Sequence, residues 1–174
     1  LGLLEWIDDY PIMLNIAGVD SIDVDFGDKQ YKFDLIHSVD SEGNALLEIN
    51  GNNGFHLDNS EVQNFRELYK VLLSVQIMGN INDELNEEGK PATFTEEEIN
   101  EIVSDEKNFM GSVKFNMIGG DVKQYSFHRY STRRAIFNYN GAKNFYVLAD
   151  WIEKLESDVE LVLKNIDVDS HSKN

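Results

Sequence analysis

Cysteine does not occur in the chain. Its lack excludes disulfide staples, thiol nucleophiles and thiolate-bound zinc or iron–sulfur centres. Compartment stays open on this ground, because bacterial surface proteins often manage without cysteine. Cations are also scarce: 15 Lys and Arg stand against 32 Asp and Glu, for a formal net charge of −17. Duplex nucleic acid and anionic lipid would repel most of such a molecule, so no nucleic-acid partner is expected. No apolar run approaches the ~20 residues that a membrane-spanning helix needs. No basic-then-apolar leader precedes residue 1, and the chain opens on Leu1 rather than Met. It therefore reads as a fragment of something longer.

The usual signatures of catalysis are missing as well. The chain contains no Gly-x-Ser-x-Gly elbow, no Gly-x-x-x-x-Gly-Lys phosphate loop and no Gly-x-Gly-x-x-Gly turn after a strand. Asp23, Asp25 and Asp28 with Gly27, or Asp40, Glu42 and Asn44 with Gly43, faintly resemble a calcium loop. Neither has glycine at the sixth position with glutamate at the twelfth, and the first set reads better as the solvent face of a strand. His37, His56, His128 and His171 show no HxxxH or HxH spacing for a metal. No cofactor and no enzymatic activity are expected. The alternative to a non-catalytic chain is a hydrolase using carboxylates with His37 or His128, since acid and base must only converge in space.

What the chain does contain is an internal echo. A constant shift of 90 lays "ALLEINGNNGFHL" (45–57) on "AIFNYNGAKNFYV" (135–147), matching Ala45 to Ala135, Asn50-Gly51 to Asn140-Gly141 and Phe55 to Phe145. The same shift sends Val62, Phe65, Tyr69, Leu72 and Leu73 onto Ile152, Leu155, Val159, Val162 and Leu163, both with the spacing of one buried helix face. Upstream, Ile22, Val24 and Phe26 alternate with polar residues, as do Val113, Phe115 and Met117. Lys29-Gln30-Tyr31-x-Phe33 and Lys123-Gln124-Tyr125-x-Phe127 then mark what reads as the same strand start. The expected fold is α+β: two tandem pseudo-repeats of β-β-β-β-α with antiparallel sheets, each sheet covered by one C-terminal helix. The first repeat with its lead-in takes 1–78, an acidic connector with a short helix takes 79–111, and the second repeat with a frayed tail takes 112–174.

Directly paired residues must share a face. That predicts Tyr31 opposite Ile49, Phe33 opposite Leu47 and Leu35 opposite Ala45 in the first unit. In the second it predicts Tyr125 opposite Tyr139, Phe127 opposite Phe137 and Arg129 opposite Ala135, leaving the loop Ser131-Thr132-Arg133. The Asn-Gly pairs suit tight hairpin turns. Capping boxes are expected at Asp58 with Glu61 or Ser60 with Gln63, at Asp150 with Glu153, and at Thr95 with Glu98 for a connector helix ending near Val103. Leu3, Leu4, Trp6, Ile7, Ile12 and Leu14 read as packing on the first sheet or completing a preceding element, and "DVDSHSKN" as a frayed end. Spacing does not decide whether the two sheets join.

Charge is unevenly spread. Between Ser112 and Phe145 stand Lys114, Lys123, Arg129, Arg133, Arg134 and Lys143 against Asp121 alone, so the second sheet is basic and the remainder acidic. Two readings follow: this sheet lies against an acidic helix or connector, or an anionic group or protein docks on it. The candidate patch is Lys123, His128, Arg129, Arg133 and Arg134. Arg129 stands out, because it takes the core-parity place held by Leu35 in the first unit. It lies either at the open end of the sheet with its stem packed and its head in water, or against a buried carboxylate.

The pattern resembles a bacterial family described only as domain of unknown function 4340. The likeness lies in "PIMLNIAGVDSIDVDFGDKQYKFDL", where Pro and Asn-Ile lead into "VDSI", a strand, a turn and a Tyr-x-Phe strand, and continues in "EING" and the helix "NFRELYKVLLSV". Members carry such units in tandem outside the cytoplasm behind one N-terminal membrane helix, many beside ABC transport systems. The resemblance implies a membrane-anchored accessory or scaffold protein of the cell envelope with a protein partner, of which this chain would be the extracytoplasmic part. It supplies no catalytic or binding residue.

Overall fold

The computed structural model describes residues 14–83, 89–90 and 93–168. Leu3, Leu4, Trp6, Ile7 and Ile12, and the tail from 169 on with His171, lie outside the described residues. Among the described residues, nine strands and three α-helices follow in the order β1 (Val19–Asp25), β2 (Gln30–Val39), β3 (Ala45–Gly51), β4 (His56–Leu57), α1 (Gln63–Leu73), β5 (Gly79–Asn80), α2 (Glu96–Ser104), β6 (Phe109–Met117), β7 (Val122–Arg129), β8 (Arg134–Tyr139), β9 (Ala142–Leu148) and α3 (Ala149–Leu163). The α+β class with antiparallel pairing is as expected. The division into two sheets is not. All nine strands form one sheet, ordered β4-β3-β2-β1-β6-β7-β8-β9-β5.

The weld is the antiparallel pair β1·β6, with Ile22 opposite Phe115 and Val24 opposite Val113. Each half opens on a strand whose outer row of N–H and C=O groups needs partners, and pairing these two rows satisfies both at once. The outermost strands are β4 and β5, two residues each, which cover only part of the β3 and β9 edges.

Side-chain alternation puts Ile22, Val24, Phe33, Leu35, Val113, Phe115, Phe127 and Phe137 on one side of the sheet, under α1 and α3. Each helix starts over its own half and ends over the other. In α1, Phe65 meets Phe33 at 5.3 Å between ring centres, but Tyr69 meets Phe115 at 6.1 Å. The Leu72 carbonyl near its end accepts from the Tyr125 hydroxyl at 2.6 Å. In α3, Trp151 packs on Phe127 at 5.8 Å, while Glu160 accepts from the Tyr31 hydroxyl across the seam. The two helices pack against each other. One shared core, rather than two cores under separate helices, is the consequence.

The second hairpin has the expected register, Tyr125 opposite Tyr139, Phe127 opposite Phe137 and Arg129 opposite Ala135. The first does not: Leu35 pairs with Ile49 and Val39 with Ala45, a slip of four residues from the expected register. A slip of even number leaves every side chain on its face, so face parity cannot detect it. The hairpin ends thus coincide under the constant shift of 90, and the Asp40 N–H to Asn44 carbonyl bond of 2.9 Å has its twin in Tyr130 to Arg134 at 3.1 Å. Arg129 therefore corresponds to Val39, the exposed last residue of β2, and not to Leu35. The Lys-Gln-Tyr echo does not mark equivalent places in the two hairpins.

Upstream the same shift relates two short 3-10 turns, Ile16–Gly18 capped by the Asn15 side chain and Glu106–Asn108 capped by that of Asp105. The box Thr95–Glu98 caps α2 as expected. Asp58 and Glu61 do bond, but in a turn ahead of α1, which starts at Gln63. Asp150 caps nothing: α3 begins at Ala149, so Asp150 sits inside its first turn and contributes there as a charge against the helix dipole. The start of the tail is tied down, with Asn64 donating to the Ile166 carbonyl at 2.6 Å and accepting from Val168 N–H at 2.7 Å.

Candidate functional site

The far side of the sheet is where the two halves differ. Over the second half, α2 seats Ile99 against Ile81 and Ile136, with Phe94, Ile102, Val103 and Tyr130 completing a separate apolar cluster. Its approach is fixed by Asn82, whose side chain bonds both the N–H and the carbonyl of Phe94, at 2.8 and 3.1 Å, and by the Phe94 ring set edge-on to Tyr130 at 5.4 Å. The signal for this seat was in "RRAIFNY": an apolar residue at Ile136 breaks the alternation of Ala135, Phe137 and Tyr139, the mark of a strand buried on both sides. The stretch read as connector therefore closes a sheet face and supplies β5.

The five residues of the expected patch do not converge. Lys123 lies on the helix side, lining a crevice with Leu14, Leu73, Phe115 and Tyr139. Arg129 lies on the same side at the other end of β7, roughly 20 Å away at 3.3 Å per residue. Its guanidinium donates to the Thr132 carbonyl, and at 3.4 Å to that of Ser131, so it closes its own hairpin loop. Of the two placements expected for Arg129, the open end of the sheet is the one adopted. Arg133 is an exposed loop residue whose carbonyl receives the Ala149 N–H at 2.9 Å. His128 and Arg134 share the far side. Arg134 lies over the Tyr146 ring at 5.8 Å.

His128 is 6% exposed. Its Nε2 meets Ser126 Oγ at 2.8 Å and its ring stands edge-on to Phe109 at 6.0 Å. Burial holds its pKa below the usual histidine range, so the neutral ring is favoured. A serine beside a neutral imidazole has the beginnings of a nucleophile and base, yet Nδ1, where an orienting acid would stand, meets no partner among the described residues. The other described histidines are engaged elsewhere, His37 Nε2 with the Val19 carbonyl at 2.7 Å and His56 Nδ1 with Asn50 at 2.6 Å.

Two of the carboxylates that resembled calcium loops bond within their own turns. Asp25 accepts from Gly27 N–H at 2.7 Å, and Asp40 from the N–H groups of Glu42 and Asn44 at 2.9 Å each. Those bonds pull the Asp40 pKa below the ordinary carboxylate value, the Asn44 contacts foremost. No group of three or more His, Asp or Glu side chains placed to hold a metal occurs among the described residues. A polar cleft of about 280 Å³ opens between the first turn of α2 and the β8–β9 turn, lined by Asn82, Phe94, Glu96, Ile99, Lys143 and Asn144 among others. Lys143 reaches from its rim to Asn100 of α2. No helix among the described residues is long and apolar enough to cross a membrane.

Over the first half, no described helix covers the far side. Across it the charges interleave: Asp23 stands between Lys32 and Lys114 on neighbouring strands, and Asn116 donates to both Ser21 and Asp23 at 3.0 Å. Ile36, 40% exposed, faces Glu48, and Leu46 lies diagonally beside it opposite Ser38. Compared with protein-family models, with curated proteins and with solved structures, the chain matches none.

Proposed function

We propose that the chain is a non-catalytic interaction module, built by duplication of a β-β-β-β-α unit and carried at the bacterial cell envelope by a longer, membrane-anchored parent of the kind its resemblance implies. The single observation that carries this reading is the acidic helix α2, with Glu96, Glu97, Glu98 and Glu101, laid on the basic half of a charge-segregated sheet whose other half carries no described helix on its far side. A sheet that already seats one amphipathic helix on an apolar floor is suited to seat another. Accessory service to a transport system is the expected setting.

The test is photo-cross-linking in cells that express the full parent, with a photoreactive residue at Glu48 on that far side or at Glu153 on α3. Discrete adducts from position 48 and none from position 153 are expected. No adduct from either position, or turnover of a test ester abolished by Ser126→Ala in the purified chain, contradicts the reading.

A further inference from the structure

The two far-side surfaces are twins, and among the described residues only one is occupied. Ile136, the floor of the α2 seat, and Leu46 stand at the same place in their hairpins, one residue after Ala135 and Ala45, which face Arg129 and Val39 respectively. Ile136 is fully covered by Ile99 and its neighbours. Leu46 is half-exposed with Ile36 beside it. Leu14 lies on the opposite, helix side of the sheet, its carbonyl accepting from the Tyr69 hydroxyl at 2.8 Å. The charges around the two seats are reversed. Acidic α2 lies over a half-sheet carrying Arg134 and Lys143, whereas Ile36 and Leu46 are bordered by Asp34 and Glu48, with Lys32 4.0 Å from Asp34 and His56 3.5 Å from Glu48 as the nearby basic groups.

Resting on the reading of the chain as an interaction module, we infer that the Ile36–Leu46 surface is a docking seat for a basic amphipathic helix of a partner protein. The partner helix repeats the apolar face of α2, two or three aliphatic side chains at helical spacing, and carries Lys or Arg where α2 carries Glu. Apolar contact at Leu46 and Ile36 supplies the anchor, and the acidic border selects charge and speeds association.

The probe is a synthetic peptide of residues 93–105 with Glu96, Glu97, Glu98 and Glu101 replaced by Lys, followed by amide chemical shifts of the full chain. Shifts confined to Ile36, Leu46, Glu48 and their strand neighbours are expected, saturating below about 1 mM. They should weaken steeply with added salt and by about tenfold or more in Leu46→Glu, which keeps the free chain's spectrum. The unaltered acidic peptide should not bind there. Absence of shifts at this surface, shifts centred on β7 and β8, equal binding by Leu46→Glu, or contacts of residues 1–13 with Ile36 or Leu46 in the free chain each overturn the seat. Adducts from position 48 in the cross-linking experiment with no peptide binding here would sink this partner chemistry and leave the module reading standing. Loss of adducts everywhere would sink both.

Discussion

Replacing Tyr125 with Phe removes one hydroxyl and keeps the ring that packs on Phe127 and Phe137 at 5.4 and 5.5 Å. The hydroxyl is buried and donates to the Leu72 carbonyl at 2.6 Å, in the last turn of α1, which belongs to the other half of the chain. A net hydrogen bond contributes about 1 kcal/mol, and an acceptor left buried without its donor costs about 1–3 kcal/mol. Part of that cost is relieved because the Leu72 carbonyl lies near the helix end, so the expected loss is about 1–2 kcal/mol. For a chain of this length that is roughly 2–8 °C in Tm. Urea unfolding followed by tryptophan fluorescence and by far-ultraviolet circular dichroism gives the same quantity independently. Both probes should move together to a lower midpoint with an unchanged slope. A change below about 0.3 kcal/mol would refute the helix exchange as a stabilising device, and two separated transitions would refute the shared core.

His128→Phe separates the pH dependence of one buried group. The folded pKa of His128 is depressed by burial, so the unfolded chain binds the proton more readily. The stability contribution is complete above the unfolded pKa of about 6.5 and is lost as pH falls below it, at about 1.4 kcal/mol per unit of depression in total. Relative to the variant, the unaltered chain should lose stability between pH 7 and 5 in paired denaturation curves; parallel curves would contradict the placement. Gly51→Ala puts a methyl group 2.9 Å from the Phe55 ring and 3.3 Å from the Lys32 carbonyl, and should lower stability by about 1–3 kcal/mol, where tolerance at the level of a surface change would be wrong. Thr95→Ala removes the side-chain cap of α2 and should cost about 1 kcal/mol, seen as faster amide exchange in α2 with β1 and β6 unaffected. Arg133→Ala, in an exposed loop, should change stability by no more than about 0.5 kcal/mol.

Much of this was legible in residues. Ala135, Phe137 and Tyr139 read correctly against Arg129, Phe127 and Tyr125, because Asn140-Gly141 fixed the turn that follows and the loop left only one short solution. The first hairpin was misread because Tyr31 and Tyr125 share a tripeptide and a face, and an even slip conserves the face. The single sheet was not legible at all. β1 and β6 each look like any half-buried strand, and nothing in their alternation says whether the second edge faces water or the other half. Thr95, Glu98 and the segregation of Lys and Arg were plain. Convergence of Lys123, His128, Arg129, Arg133 and Arg134 failed for a simple reason: odd and even positions of one strand point to opposite sides, and Lys123 and Arg129 stand at its two ends.

The weld between β1 and β6 carries the whole account, since it joins the two halves into one sheet with one shared core under α1 and α3. Native-state amide exchange tests it most directly. Amides that bond between β1 and β6, around Ile22, Val24, Val113 and Phe115, should exchange only through global unfolding, at the same free energy as those of Phe33 and Phe127 in the flanking strands. Exchange of the β1·β6 amides at a distinctly lower free energy, with each half still protected, would show two abutting units and contradict the single sheet.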